Sequence, residues 1–212
     1  MGDLGPASRV WYASYGSNMH PARLNRYIAG GLPPGGAGHA HPGCRDTTPP
    51  ARSVAVILPG QVYFATESPV WGGGRGFYDP DADGVAWGVA HLITVEQFSD
   101  ILAQEMYREP GTAVDLDLAG VLAFGRSELG AGRYETVVCP GRLDGLPLLT
   151  FTAPWRIAEV ALLAPSAVYL RHLAGGLRAS GAWSVDDIAE YLAGRPGALG
   201  HWTPAAVAAL VE

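Results

Sequence analysis

The segment that most constrains this chain is a short β-favouring run that ends in a tight turn. Val10–Tyr15 is rich in residues that favour strands, and Gly16 permits a sharp change of direction. Ser17 and Asn18 are residue types that begin helices, and the segment "PARLNRYIA", with proline in its first turn, reads as a helix that stops at a glycine pair. The sequence therefore predicts a strand, a tight turn and a helix in immediate succession.

Further strands and helices follow in an order that indicates an α+β fold rather than alternating βαβ units. Two β-favouring runs predict a hairpin that turns at Pro59-Gly60, with strands over Ser53–Leu58 and Gln61–Ala65, and "WGGGRGFYDPDADG" predicts a loop. The other predicted strands are Val85–Ile93, Val121–Phe124, Tyr134–Cys139 and Leu146–Phe151. The later helices are predicted over Thr94 to about Tyr107 and over Ser166–Ala174, with two more that begin at Ser184 and Thr203.

The strand predicted over Val85–Ile93 has two unlike faces. One face carries mostly larger side chains, and the other carries Ala86, Gly88, Ala90 and Leu92. The small residues predict that another part of the chain approaches this second face closely. His91 lies on the larger, mostly apolar face, and we interpret it as a core histidine with a hydrogen-bond partner.

Composition excludes several classes of function. The chain has 212 residues, of which 48% are hydrophobic and 16% charged, and its formal net charge is −6. An acidic chain without a basic cluster is not expected to bind nucleic acid or an anionic membrane. All 14 cationic residues are arginine, so chemistry that needs a lysine base or a lysine Schiff base is excluded.

Length and segment composition bound the domain organisation. The sequence predicts one domain over residues 1–212, with an irregular Gly/Pro-rich loop at 31–52 and a C-terminal extension at 195–212. It shows neither an apolar signal core nor a run of membrane-spanning length, so a cytoplasmic location is expected. No oligomeric state is indicated.

Glu105 occupies an unexpected position on the helix that begins at Thr94. Phe98, Ile101, Leu102 and position 105 follow the spacing of one buried helix face. A carboxylate on such a face is costly unless it is paired or faces a cavity, and desolvation would raise its pKa towards a value useful for proton transfer. The alternative is that Glu105 lies close to the helix end and turns to solvent, or pairs with Arg108.

The Tyr15–Asn18 turn is the second candidate for a functional element. Successive backbone N–H groups that lead into a helix N-terminus can hold a carboxylate or an oxyanion. The alternative is that this is an ordinary Gly-Ser-Asn turn.

Other candidate sites have weaker support. His39, His41 and Cys44 have a loosely metal-like spacing but no second ligand pair, so no metal is predicted. The segment "WGGGRGF" lacks the third glycine of a dinucleotide-binding motif, so no nucleotide cofactor is predicted either. Cys139 is interpreted as a small buried hydrophobic residue within a strand.

Five segments of the chain occur in a characteristic order. They are "YGSNM" followed by a helix with Arg23-Leu24, then "WGGGRGFYDP", "VAWGVAHLI", "ILAQEMY" and "YLRHLAGGLRASG". In this order they resemble the γ-glutamyl cyclotransferase family, including its AIG2-like and small bacterial members, over about residues 10–195. The resemblance implies a small closed mixed β-barrel with flanking helices.

The resemblance also implies a reaction and a set of site residues. The family reaction releases 5-oxoproline and a free amine when the α-amine of a γ-glutamyl amide attacks its own γ-carbonyl. Because this ring closure is intramolecular, it needs no protein nucleophile, metal or cofactor, and the expected partner is a small γ-glutamyl substrate. Glu105 would act as the general acid/base. The implied substrate-binding residues are Tyr15, Gly16, Ser17, Asn18, Gly73 and Gly74.

Two positions depart from the family pattern. Ala103 follows Leu102 where the family has Leu-Asp, and Phe151 stands where several members carry a tyrosine on a late strand. A hydroxyl contact to substrate is therefore expected to be missing. Two other functions stay open: γ-glutamyl or related amide transfer or hydrolysis in a biosynthetic pathway, and a catalytically inactive binding module of the same fold.

Overall fold

The structure is a computed structural model that describes residues 4–31, 40–111, 116 and 118–211. Its strands are β1 (Arg9–Ser14), β2 (Ser53–Pro59), β3 (Gln61–Glu67), β4 (Gly74–Asp79), β5 (Val85–Thr94), β6 (Arg126–Glu128), β7 (Thr136–Leu143) and β8 (Leu146–Thr152). Its α-helices are α1 (Pro21–Ala29), α2 (Val95–Glu105), α3 (Leu118–Phe124), α4 (Ala167–Ala179), α5 (Val185–Ala193) and α6 (Pro204–Ala208).

Six strands form one mixed sheet in the order β2-β5-β1-β8-β7-β6, and β3 and β4 form a separate two-stranded sheet. Strands β1 and β8 are parallel, whereas β7 is antiparallel to both β8 and β6. The predicted α+β class is confirmed. The predicted closed barrel is wrong for the described residues, because closure requires the two edge strands to pair and here β2 and the three-residue β6 end an open sheet.

The hairpin predicted at Pro59-Gly60 has the right strands and the wrong pairing. Strand β3 pairs with β4, from Gln61 opposite Asp79 to Glu67 opposite Gly74, so part of the predicted "WGGGRGFYDPDADG" loop is a strand. Gly60 has φ +92°, and a Cβ atom on it would collide with the carbonyl oxygen of Asp79. This left-handed glycine turns the chain away from β2 and towards β4.

The segment predicted as a strand over Val121–Phe124 is the last part of helix α3. A short apolar run does not reveal its period, and Leu and Ala in "LAGVLAF" favour the helix. Val121 is fully buried in the core described next. The short strand β6 was not predicted.

The chain divides into two compact units, each with its own core. The first unit comprises Met1–Ala13, Ala22–Ser53 and Ala90–Pro154, and the second comprises Ser14–Pro21, Val54–Val89 and Trp155–Glu212. The first core includes Tyr12, Tyr27, Phe98, Ile101, Leu102 and Phe151. The second includes Met19, Phe64, Tyr169, Leu170, Leu173 and Leu192, together with Ala198 and Val207 from the predicted C-terminal extension.

Helix α2 begins as the sequence predicts. The Thr94 hydroxyl accepts a hydrogen bond from the Gln97 N–H, and the Gln97 side chain accepts one from the Thr94 N–H, which completes a capping box. Preceding it, His91 is buried and hydrogen-bonded to the Ser53 hydroxyl at 2.8 Å, so its interpretation as a satisfied core histidine is confirmed. Among the described helices, none is long and apolar enough to span a membrane.

Candidate functional site

The predicted anion-binding turn belongs to the second unit. Gly16 precedes a 3₁₀ turn over Ser17–Met19, in which the N–H groups of Met19 and His20 bond to the carbonyl oxygens of Gly16 and Ser17. Ser17 and Asn18 therefore do not cap helix α1, which begins at Pro21 as predicted. The N–H groups of Met19 and His20 are hydrogen-bonded within the turn. The candidate donors to an anion are therefore the backbone N–H groups of residues 15–18.

Helix α4 contacts this turn through a glycine pair. The helix predicted to end at Ala174 is longer, because α4 continues through Gly175 and Gly176 to Ala179. A Cβ atom on Gly176 would lie 2.8 Å from the Met19 Cβ atom and 2.9 Å from the His20 nitrogen. The glycines therefore serve close helix packing against the turn, which outweighs their low helix propensity.

Two side chains of α4 also reach the turn. His172 donates a hydrogen bond from Nε2 to the Ser17 carbonyl oxygen at 3.2 Å. The Tyr169 hydroxyl accepts the Gly76 N–H at 3.2 Å and would lie 3.6 Å from a Cβ atom on Gly16. The Tyr169 hydroxyl is therefore close to both the turn and strand β4.

An aromatic row that the sequence analysis missed continues from the same helix. The Trp71 ring stacks on those of Tyr169 and His172, with centroids 5.6 Å and 4.9 Å away, and His172 stacks on His20 at 4.9 Å. The Ser166 hydroxyl holds the Trp71 carbonyl with a 2.6 Å hydrogen bond. The i, i+3 spacing of Tyr169 and His172 on one helix face was the available signal.

The two glycines predicted to bind substrate have a packing role. Gly73 has φ +63°, and a Cβ atom on it would lie 2.5 Å from the carbonyl oxygen of Ala164. A Cβ atom on Gly74 would collide with the carbonyl of Leu163, and the Gly74 N–H donates to Ala164 at 2.8 Å. Both glycines therefore allow backbone to approach backbone, and contact with substrate stays a prediction.

Glu105 belongs to the first unit and is the last residue of α2. The helix buries Val95, Phe98, Ile101 and Leu102 as predicted, and Glu105 is half-buried. The negative charge of Glu105 acts on the buried Tyr27 of helix α1. Arg108, the expected alternative partner, forms a 3.4 Å salt bridge with Glu135.

The surroundings of Tyr27 keep its hydroxyl protonated. Burial, the largest cause, and the negative charge of Glu105 raise the pKa of Tyr27 well above its ordinary value, although Arg23 opposes this. The Arg23 guanidinium lies 5.2 Å from the centre of the Tyr27 ring, and the His41 ring lies 4.3 Å away. Burial and Arg23 lower the pKa of His41, which favours its neutral form near pH 7.

A hydrogen-bond clamp next to Glu105 was also missed from sequence. Gln104 donates from Nε2 to the Tyr27 carbonyl oxygen at 2.9 Å, and the Cys44 thiol donates to the same oxygen at 3.3 Å. One turn earlier, the fully buried Asp100 accepts hydrogen bonds from Arg45 through both carboxylate oxygens. A polar residue next to a buried face gives no sequence signal of the partner it meets across the fold.

The structure also places most of the residues that had weaker support as metal ligands or as core residues. His39 lies outside the described residues, His41 stacks on Tyr27, and burial raises the pKa of the Cys44 thiol to about 12. Within the described ranges no group of three His, Cys, Asp or Glu side chains is placed so that it could hold a metal ion. Cys139 lies in β7 as predicted, but it is only half-buried.

Phe151 lies within the first core. Its ring stacks on Tyr12 with centroids 5.3 Å apart and meets Tyr134 edge-on at 6.1 Å. Whether it replaces a family tyrosine stays a prediction.

The structure was compared with known proteins. It superposes on a γ-glutamyl cyclotransferase with a TM-score of 0.51 and 15% identity, covering 89% of each chain. A similar likeness links it to an uncharacterized protein from Homo sapiens, with a TM-score of 0.52, 15% identity and 89% of each chain covered. The chain has the γ-glutamyl cyclotransferase fold. At this identity the likeness concerns the fold alone, and no protein-family model matches the chain.

One curated protein is more similar in sequence to this chain than these two solved structures are. Histone deacetylase 5 of Arabidopsis thaliana is 32% identical over 204 residues, which cover 86% of this chain. The chain spans only 30% of that protein's length. The match therefore concerns a minor part of a larger protein, and it does not carry that protein's activity to this chain.

Proposed function

We propose that this chain is a γ-glutamyl cyclotransferase-type enzyme that releases 5-oxoproline and a free amine from a γ-glutamyl amide. Glu105 is its general acid/base, and the Tyr15–Asn18 turn supplies hydrogen-bond donors to an anionic group of the substrate. The observation that carries the proposal is the position of Glu105, a half-buried carboxylate at the end of α2 that continues the buried face of Phe98, Ile101 and Leu102.

One carboxylate is enough for both proton transfers of this reaction. The substrate's α-amine nitrogen forms a bond to its own γ-carbonyl carbon, and Glu105 accepts the proton that this nitrogen loses. The C–N bond to the leaving amine then breaks, and Glu105 returns the proton to the leaving nitrogen. Since the nucleophile is part of the substrate, orientation supplies much of the rate, consistent with effective molarities of about 10⁵–10⁸ M in well-oriented intramolecular reactions.

The Tyr15–Asn18 turn is proposed to bind a negatively charged group of the substrate. Ring closure passes through a tetrahedral oxyanion, and loss of one donor to such a group typically costs about 2.7–4 kcal/mol of transition-state stabilisation. The substrate's α-carboxylate is the other anionic group that the same donors could bind.

The test is a panel of γ-glutamyl amides with product identification by mass spectrometry. Wild-type protein is expected to release 5-oxoproline, and Glu105→Gln is expected to lose this activity while it keeps the fold. Glu96→Gln is the matched control, because Glu96 lies on the same helix and pairs with Arg45. Full activity in Glu105→Gln would overturn the assignment.

The products also separate the other functions. Linear glutamate would indicate hydrolysis, a new γ-glutamyl amide would indicate transfer, and binding without turnover would indicate an inactive binding module. An acetylated histone peptide belongs in the panel because of the partial match to a histone deacetylase.

A further inference from the structure

We propose that His172 is a positioning residue for the Tyr15–Asn18 turn: its imidazole holds the carbonyl oxygen of Ser17 and so fixes the orientation of the turn's peptide groups. The inference rests on the proposed function for its catalytic meaning, since that function gives the turn the task of binding an anionic group of the substrate. Its geometry rests on the 3.2 Å hydrogen bond from His172 Nε2 to the Ser17 carbonyl oxygen.

The peptide groups on both sides of Ser17 are held through their carbonyl oxygens. The Gly16 carbonyl accepts the Met19 N–H at 3.1 Å, and the Ser17 carbonyl accepts the His20 N–H at 3.2 Å as well as the bond from His172. A peptide group is planar and trans, so its N–H points away from its carbonyl oxygen. The Ser17 N–H shares a peptide group with the Gly16 carbonyl, and it therefore points away from the bonds that close the turn.

The turn needs a partner outside itself because it is short. The 3₁₀ helix covers Ser17–Met19, and 3₁₀ hydrogen bonds have poorer geometry than those of an α-helix. Backbone donors stabilise a developing oxyanion best when they are oriented before the reaction. A further donor to the Ser17 carbonyl oxygen, supplied by a different element, restricts the rotation of that peptide group.

Helix α4 can supply this donor because one of its faces lies against the turn. His172, Gly175 and Gly176 have the i, i+3, i+4 spacing of a single helix face. An added Cβ atom would lie 3.4 Å from the His20 ring at Gly175 and 2.8 Å from the Met19 Cβ atom at Gly176. The helix backbone is therefore close enough to the turn for an imidazole one turn earlier to reach its carbonyl.

The imidazole of His172 is itself held by other rings. Its centroid lies 4.9 Å from that of Trp71, with the planes at 30°, and 4.9 Å from that of His20, with the planes at 21°. Trp71 is fixed in turn by the 2.6 Å hydrogen bond from the Ser166 hydroxyl to its carbonyl oxygen. A carbonyl oxygen only accepts hydrogen bonds, so the contact with Ser17 requires the proton on Nε2.

The test separates the donor of His172 from its ring. His172→Phe keeps an aromatic ring and loses the donor, whereas His172→Gln keeps an N–H donor at a similar reach and loses the ring. With the best γ-glutamyl amide of the panel, kcat/KM for 5-oxoproline release is expected to fall at least about tenfold in His172→Phe and to stay within about threefold of wild type in His172→Gln. A loss in His172→Gln that equals or exceeds the loss in His172→Phe would overturn the inference.

His201→Phe is the matched control. His201 is exposed and belongs to the same compact unit, and its main-chain N–H donates to the Ala198 carbonyl oxygen at 2.9 Å, a bond that the variant keeps. Its kcat/KM is expected to stay within about threefold of wild type. A loss in this control as large as that in His172→Phe would overturn the inference, because the effect would then not depend on the contact with Ser17.

A measurement without turnover separates this inference from the proposed function. Imidazole ¹⁵N NMR of the wild-type protein at neutral pH is expected to show a protonated Nε2 on His172, and an unprotonated Nε2 would overturn the inference. This measurement needs no variant, so it also covers the case in which His172→Phe does not fold. A protonated Nε2 in a protein that releases no 5-oxoproline from any amide of the panel would overturn the proposed function and leave the contact standing.

The backbone amide of Asn18 gives a second readout, because it shares a peptide group with the Ser17 carbonyl. Its ¹⁵N and ¹H resonances are expected to move in His172→Phe, where the carbonyl loses a donor, and to stay near their wild-type positions in His172→Gln. Equal movement in the two variants would overturn the inference.

Discussion

The carbonyl oxygen of Ser14 lies 2.6 Å from the position that a Cβ atom of Gly88 would occupy. Ser14 ends β1 directly before the predicted anion-binding turn, and Gly88 lies on the small-residue face of β5. The close approach predicted from the alternation of Ala86, Gly88 and Ala90 is therefore confirmed. The missing side chain allows the end of β1 to reach β5.

Gly88→Ala is expected to destabilise the protein by about 1–3 kcal/mol, since the added methyl group forces backbone apart in a packed region. Urea unfolding followed by tryptophan fluorescence measures the change. Gly141→Ala is the matched control, because Gly141 is also a strand residue and an added Cβ atom there would meet nothing within 4 Å. Equal stability of the two variants would contradict the steric argument.

The Arg45–Asp100 pair is expected to contribute far more than a surface pair. Asp100 is fully buried, and it accepts hydrogen bonds from the Arg45 guanidinium, the Arg45 N–H and the Gly111 N–H. Arg45→Met leaves a buried carboxylate without its cation, which typically costs about 3–5 kcal/mol. Chemical denaturation of the purified variant measures this loss.

Arg156→Met is the control for that experiment. Arg156 pairs with Asp81 at 3.1 Å, and both side chains are more than half exposed. Such exposed pairs contribute about 0–1 kcal/mol. If both variants lost the same stability, burial of the carboxylate would not be the cause.

The stability of the protein is expected to fall at alkaline pH because of Cys44. Burial, followed by the charge of Asp100, raises the pKa of this thiol from 9.0 to about 12 in the folded state. Between these values the folded thiol keeps a proton that the unfolded thiol loses. The free energy of unfolding therefore falls as pH rises through this window, by about 1.4 kcal/mol per unit above pH 9.

Urea unfolding of wild type and Cys44→Ala between about pH 8 and pH 11 tests this contribution: the variant is expected to have a shallower slope, and the slope that it keeps above about pH 10 comes from buried tyrosines such as Tyr27, whose pKa is also raised. The half-buried Cys139 is also expected to react with a thiol reagent before Cys44 does. Equal slopes in the two proteins would contradict the shift.

Local patterns predicted the elements around the turn well. The strand before Gly16, the helix from Pro21 and the capping box at Thr94 each depend on neighbouring residues, so the sequence reveals them. Predictions failed where partners are distant in the chain. The pairing of β3 with β4 and the course of α4 through Gly176 depend on close approaches between backbone segments, which a propensity does not record.

The residues of the candidate site also differ in how far the sequence alone reveals them. Glu105 stands out in sequence because a carboxylate interrupts an apolar face, whereas Tyr27 looks like an ordinary core residue of α1. Its pKa nevertheless responds to the charge of Glu105, which lies 78 positions later in the chain. Tyr169 and His172 were missed for the same reason, since only the fold brings them to the Tyr15–Asn18 turn.

Gly16→Ala distinguishes a turn that binds an anion from one that only reverses the chain. A Cβ atom on Gly16 would meet the Tyr169 hydroxyl at an ordinary 3.6 Å, and the φ of −116° lies outside the left-handed region. The variant is therefore expected to fold with a stability change below about 0.5 kcal/mol. If the turn's N–H groups bind substrate, the methyl group obstructs them and kcat/KM for 5-oxoproline release falls at least tenfold, a loss of about 1.4 kcal/mol. Thermal unfolding and the 5-oxoproline assay measure the two effects separately, and unchanged activity in the folded variant would remove this turn from the substrate-binding site.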